Sequence, residues 1–195
     1  MKFKICLGGS KHVGKSSLIS RFVENTFDER TQSTIGVAFK RKIMQSDDID
    51  AQLTIWDFGG EEKYRSLFPE YVQGSHAALL LYDITRADSL QDIANWVEII
   101  DANAPEDCVK VLIGTKNDLE SEREVTHDDA EAVMQQFNFT GELLETSAKT
   151  GDNVEEAFQM ALDEILKRLV QNCPNCGKKV SKALKICRFC GEQLS

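Results

Sequence analysis

The chain has 195 residues, 42% of them hydrophobic and 28% charged, and a formal net charge of −9. That profile describes a globular chain long enough to bury a sizeable core, and it excludes a disordered one. No apolar run reaches the ~18 residues of a membrane span, and no secretory apolar region opens the chain, so a soluble cytoplasmic protein is expected.

The patterns alternate between strand and helix. Phe3 to Leu7 reads as a short strand. Lys15 to Asn25 places Leu18, Ile19 and Phe22 on one face, as a helix would. Phe39 to Met44 and Ala51 to Trp56 alternate like two hairpin strands around the polar Ser46-Asp47-Asp48. Ala77 to Tyr82 and Val109 to Ile113 read as buried central strands. Ser89 to Asn103 between them predicts an amphipathic helix with Leu90, Ile93, Trp96, Val97 and Ile100 inward. Thr126, three residues before Asp129, reads as a helix N-cap. A short strand at Glu142 to Glu145 and a long helix at Asn153 to Val170 complete the body. This order predicts an α/β doubly wound, mostly parallel sheet of about six strands with one antiparallel edge strand. Ligands of such sheets bind at the carboxyl ends of the strands.

Four segments follow strands in turn. Gly9-Ser10-Lys11-His12-Val13-Gly14-Lys15-Ser16 fits the phosphate-loop pattern, whose inward N–H groups cradle phosphate oxygens. Gly9, Lys11, His12, Val13, Gly14 and the following Ser17 are the candidate lining of that cradle. Lys15 would reach the β/γ-phosphates and Ser16 would hold Mg²⁺. Asp57-Phe58-Gly59-Gly60, Thr115-Lys116-Asn117-Asp118 and Ser147-Ala148-Lys149 complete the set. Alone, Asp57 reads more readily as an ordinary helix cap and Asp118 as an ordinary turn residue; four segments in order favour the functional reading. His12 reads as a solvated loop residue, His76 as a strand-edge residue, and Cys6 and Cys108 as buried core thiols.

With those segments in hand, residues 1–170 resemble the Ras superfamily of small GTPases, most closely its Rab-like branch. Thr34-Ile35-Gly36-Val37 resembles the first switch, and Trp56-Asp57 with Gly60-Glu61-Glu62-Lys63-Tyr64-Arg65 resembles the second. Glu145-Thr146-Ser147-Ala148-Lys149 is similar to the fifth family motif. The resemblance implies a P-loop GTPase fold that binds GTP or GDP with Mg²⁺. Ser16 and Thr34 would ligate the ion, and Asp57 would do so through water. Gly60 would contact the γ-phosphate through its N–H. Asp118 would accept the guanine N1–H and amine, a donor pair that adenine lacks. Lys116 and Lys149 would pack along the base, Ala148 would donate to guanine O6 beside Ser147, and Phe27 would stand edge-on to the base.

Three departures from the family bear on rate and affinity. Glu61 stands where relatives carry a water-orienting Gln; a carboxylate cannot donate to the γ-phosphate, so slow hydrolysis is expected. Lys11 replaces a small residue and reads either as a solvated rim lysine or as a cation paired with Glu61 above the γ-phosphate, aiding catalysis in cis. The catalytic set expected is therefore Lys15, Thr34, Gly60, Glu61 and Lys11. Thr115 replaces an Asn that tethers the phosphate loop, so a lower nucleotide affinity is expected. Phe58-Gly59 should change the surface of the second switch and hence its partners.

The segment 171–195 is a separate unit. Cys173-Pro174-Asn175-Cys176-Gly177 and Cys187-Arg188-Phe189-Cys190-Gly191 are two C-x-x-C-G knuckles ten residues apart. That pattern predicts a Cys₄ zinc site that supplies most of the unit's folding energy, roughly 10–16 kcal/mol. Two disulfides or a redox dithiol are the competing readings. The unit resembles the small zinc ribbons at the ends of archaeal proteins. Its five Lys and Arg against Glu192 alone make it +4, which leaves −13 for the body. Four zinc-bound thiolates lower its formal charge to about +2, so nucleic acid is not an expected partner. The Cys pattern at the end fits no prenylation signal, so no lipid anchor is expected. The ribbon is expected to dock on protein. The leading expectation is a GTP-binding switch of low intrinsic activity with effectors and regulators at its switch regions. A nucleotide-locked adaptor and a GTPase-regulated nucleic-acid module are the alternatives.

Overall fold

The computed structural model describes residues 1–29, 34, 36–46, 49–59, 65 and 67–194. A six-stranded sheet lies at the centre, built from β1 (Lys2–Gly8), β2 (Val37–Ser46), β3 (Ile49–Phe58), β4 (Ala77–Asp83), β5 (Val109–Thr115) and β6 (Leu144–Thr146) in the order β2-β3-β1-β4-β5-β6. All pairs are parallel except the β2–β3 hairpin at one edge. This is the doubly wound class expected from the sequence.

The strands read as apolar runs because both faces are covered. Every residue of β4 is buried. Ile5, Leu7, Leu79 and Leu81 point to one face, where α1 (Lys15–Glu24) and α6 (Val154–Leu169) pack. There Phe22 of α1 stacks on Phe158 of α6 with ring centroids 3.8 Å apart. Cys6, Leu80 and Tyr82 point to the other face and meet Phe68 of α2 (Phe68–Val72), Leu90 of α3 (Ala87–Gln91), Trp96 of α4 (Ile93–Asn103) and Ala130 of α5 (His127–Gln136). Cys6 and Cys108 are buried thiols, as expected.

The continuous helix expected from Ser89 to Asn103 is instead two, α3 and α4, divided at Asp92. The carboxylate of Asp92 is engaged at that break by four side chains from three parts of the chain. The strand expected at Glu142 to Glu145 begins two residues later. Gly141, at φ 84°, turns the chain there, and only Leu144 to Thr146 find partners, on Ile113 to Thr115. The last helix ends at Leu169, and Val170 already belongs to β7 (Val170–Asn172), which pairs antiparallel with β8 (Lys179–Ser181).

Thr126 caps α5 as read from the sequence. Its hydroxyl accepts from the Asp129 N–H at 3.1 Å, and the Asp129 carboxylate accepts from the Thr126 N–H at 3.1 Å. Thr126→Ala removes one half of that reciprocal pair. A loss of about 1 kcal/mol in urea unfolding of the nucleotide-bound protein is expected, with nucleotide affinity unchanged.

Candidate nucleotide site and cysteine cluster

The carboxyl ends of β1, β3, β5 and β6 open into one cleft of about 340 Å³. Lys11, His12, Gly14, Lys15, Ser16 and Ser17 line it from the first loop and α1. Phe27 and Thr34 line it from the next segment, and Thr115, Lys116, Asp118, Ala148 and Lys149 from the far side. The four sequence segments thus converge as far as they are described. Gly60 and Glu61, and with them any Lys11–Glu61 pair, lie outside the described residues.

The loop after β1 is shaped by two glycines. Gly9 sits at φ 137°, and a Cβ there would lie 2.4 Å from the Leu81 carbonyl oxygen. Gly14, at φ 92°, opens α1 without any side-chain cap. A helix N-terminus entered this way presents backbone N–H groups and a positive dipole end to an anion. Val13 is fully buried and anchors the loop, while Lys11 and His12 are exposed on its rim. The Lys11 carbonyl accepts from Arg86 at 2.8 Å.

Lys15 is 6% exposed, and its ammonium donates to the Gly9 and Ser10 carbonyls at 2.6 and 2.8 Å. Burial pushes its pKa down to about 8, against the pull of Asp57 and Asp92. Beside it, Ser16 Oγ lies 2.5 Å from Asp57 Oδ2 and 2.7 Å from Thr34 Oγ1, and Thr34 Oγ1 lies 3.0 Å from Asp57 Oδ2. Burial raises the Asp57 carboxyl above the usual range, with the Ser16 and Thr34 hydroxyls working the other way. Its second oxygen, Oδ1, is buried and lacks a partner among the described residues. Two hydroxyls and a half-satisfied buried carboxylate are the hard oxygen donors that suit Mg²⁺. The site's residues therefore fit the ion.

Opposite the phosphate end, Asp118 Oδ1 accepts from Ser147 at 2.6 Å. Among the described residues this leaves Oδ2 for a ligand. Ser147 Oγ in turn accepts from the Lys149 and Thr150 N–H groups at 3.1 Å each, which rounds the loop toward the cleft. Lys116, at φ 64°, places its ammonium 2.5 Å from Asp83. Lys149 lies 3.2 Å from Glu29 across the mouth of the cleft.

Thr115 keeps the tether that the absent Asn would supply. Its hydroxyl lies 2.7 Å from both the Val13 and Tyr82 carbonyls, so its one proton serves either. The phosphate loop is therefore tied to β5 in this chain as well. Phe58 is buried against Phe68, 4.6 Å between centroids.

Three supporting residues escaped the sequence reading. Arg21 of α1 donates to the Ala148 and Lys149 carbonyls at 2.7 and 2.8 Å and so orients the base loop. Arg123 grips both oxygens of Glu145, at 2.8 and 2.6 Å, just ahead of that loop. Asp92 accepts from Ser10 of the phosphate loop and from Arg65 of the second switch, both at 2.6 Å. Burial alone would push Asp92 up, but bonds from Asn95, Ser10, Arg65 and Trp96 hold it below the usual range. Arg21 follows an ordinary polar helix position, Arg123 an acidic turn, and Asp92 a helical period, so none carried a local signal.

The four tail cysteines form a second centre. Their Sγ atoms lie within 4.8 Å of one another, with 3.6 Å from Cys173 to Cys190 and 3.7 Å from Cys176 to Cys187. Those separations exceed a disulfide bond by more than 1.5 Å. They match the ~3.8 Å edge of a tetrahedron with 2.3 Å Zn–S bonds. Gly177 and Gly191 take positive φ angles of 70° and 77°, and each donates its N–H to the backbone carbonyl of the first cysteine of its knuckle at 2.9 Å. Two like knuckles facing one point fit Zn²⁺, as the spacing led us to expect.

Comparison with known proteins agrees with this geometry. The Ras family model matches residues 4–167. The human protein named "Ras-related protein Rab-12" (Homo sapiens) is 38% identical over 169 residues, which cover 86% of this chain and 68% of the human one. With the fold, the cleft and both matches in agreement, the chain belongs to the Ras family and is a small GTPase.

Proposed function

We propose that the chain is a guanine-nucleotide switch of low intrinsic activity that docks through its cysteine ribbon. The observation that carries the switch reading is the Ser16–Thr34–Asp57 oxygen cluster. It brings α1, the first switch and β3 to one point where an ion would be held, and a switch would follow if Thr34 stays there only with the ion and γ-phosphate bound. When bound, Mg²⁺ neutralises phosphate charge. Lys15 would hold the β/γ-phosphates, and Asp118 with Ala148 would select guanine, while the γ-phosphate role of Gly60 rests on the family resemblance alone. In sequence Glu61 occupies the place of the family's water-orienting Gln, and a carboxylate there would oppose the phosphate charge.

Partners would read the adjoining aromatic surface. Phe39 of β2 is 53% exposed, its ring centroid 5.4 Å from that of Trp56, which lies 5.5 Å from that of Tyr71. These three rings join the edge strand to the second-switch side. Residues 1–170 form the switch domain in this reading, and residues 171–195 form the zinc-holding docking unit.

Asp118→Asn tests base selection. An amide offers a donor where the carboxylate only accepts, so preference should move from guanine to xanthine nucleotides by about a hundredfold in competition binding. The pH dependence of binding tests Lys15. Phosphate raises its pKa from about 8, so below that value the ammonium is charged both free and bound, and affinity is flat. Above it the free form has lost the proton that binding must restore, so affinity falls as pH rises. Titrations with a fluorescent GDP analogue from about pH 7 to about pH 9 should show this, and Lys15→Arg, which keeps its charge, should remain flat.

Single-turnover GTP hydrolysis decides the rate question. Wild type should turn over slowly and Glu61→Gln should be about tenfold faster or more. A Gln variant no faster than wild type sinks the assigned role of Glu61. An inert wild type with a rescued Gln variant favours the nucleotide-locked adaptor, the reading that Glu61 itself supports.

A further inference from the structure

Seven large hydrophobic side chains are exposed among the described residues, and three of them, Leu184, Ile186 and Phe189, fall in the short ribbon. The ribbon's own core is Cys173, Val180, Cys187 and Leu194, so these three contribute nothing to it. They are 38%, 60% and 46% exposed. Leu184 closes a turn, with its N–H on the Ser181 carbonyl. Phe189 stands at the tip of the second knuckle, between Cys187 and Cys190. Such positions protrude rather than form a groove.

Cations surround these tips. The Lys178 ammonium lies 4.5 Å, and the Arg188 guanidinium 4.8 Å, from the Phe189 ring centroid. Lys185 stands between Leu184 and Ile186, and Lys182 bonds the Lys167 carbonyl at the end of α6. At that helix end Lys167 pairs with Glu164, and Arg168 donates to the Asp107 and Cys108 carbonyls, so the basic surface is the ribbon's own. Glu192 is the single acidic residue of the segment.

Resting on the docking role read above, we infer that the ribbon seats on an anionic lipid surface. Protruding apolar side chains enter the headgroup–acyl boundary, while Lys and Arg stems lie along them and keep their charges among the phosphates. Fluid lipid accommodates separate apolar tips, whereas a polypeptide partner would need a pocket for each. Nucleic acid suits the cations and Phe189, but Leu184 and Ile186 have no flat face for a base to stack on. The acidic body does not defeat the attraction. Helix α6 runs from the base loop to the ribbon over 16 residues, roughly 24 Å. That exceeds the Debye length of ~8–10 Å, so acidic residues at the far end of α6 are screened from the lipid. The nucleotide cleft lies by the start of that helix and the ribbon at its end.

The test is flotation of the full-length, zinc- and GDP-loaded protein with phosphatidylcholine vesicles, with or without phosphatidylserine. About tenfold more protein should float with the anionic vesicles, and added salt should reduce it. Phe189→Ser and Ile186→Ser should each cut recovery about tenfold with zinc content and GDP binding unchanged. Equal recovery on both vesicle types, or none on either, overturns the lipid proposal and leaves the switch reading standing. Binding to poly(U), or to a Glu–Tyr copolymer, in place of vesicles overturns it in favour of nucleic acid or an acidic peptide. A chain that holds no zinc overturns the ribbon reading and this proposal together.

Discussion

The burial of Lys15 is the constraint on which the site depends. An ammonium shut away from water is costly unless negative charge faces it. Here it is held by two neutral carbonyls, with Asp57 and Asp92 too far to pair with it directly. Its depressed pKa records that unmet demand. Asp57 shows the converse, a carboxyl raised by burial with one oxygen unpartnered. A phosphate group and a divalent cation answer both deficits at once. The groups buried here thus call for charges of opposite sign, which is what a phosphate and a divalent cation supply.

Asp92 extends that constraint beyond the cleft. Through one oxygen it takes bonds from Ser10, Arg65 and Trp96, and through the other from Asn95. Arg65 also lies over the Trp96 ring, 4.8 Å from its centroid. Trp96 packs beneath Gly8, where a Cβ would come within 3.0 Å of the indole. The end of β1, the phosphate loop and the second switch thus share one carboxylate. The break between α3 and α4 is the local consequence, because the side chain at the break answers to tertiary partners rather than to helical period.

Most of the fold was legible from periodicity. The buried strands β4 and β5 read as apolar runs, and the hairpin as alternation, because each pattern follows from which faces are covered. Boundaries failed where a single residue overrode the period, as at Asp92 and Gly141. The site was legible where chemistry is local in sequence, as in the phosphate loop and the two cysteine knuckles. It was not legible where a residue acts from another element. Arg21 lies 127 positions from the Ala148 carbonyl it orients, and Thr115 lies 102 positions from the Val13 carbonyl it tethers. The sequence shows the missing Asn amide at Thr115 but not that the hydroxyl also reaches the loop. The hydroxyl reaches the loop because β5 already brings its backbone close.

The two ends of α6 divide the molecule's work. Its start follows the base loop, and its end runs directly into β7 of the ribbon through a chain bonded at Lys182 N–H to the Leu169 carbonyl, 2.8 Å. No flexible linker separates the last turn from the first strand of the ribbon. If the ribbon docks as proposed, the surface that holds it also sets the direction in which the nucleotide cleft and the aromatic row on β2 face. A lipidated tail would tether the body without orienting it. A ribbon continuous with a helix packed on the sheet fixes orientation, and at a surface that determines which partners can reach the switches.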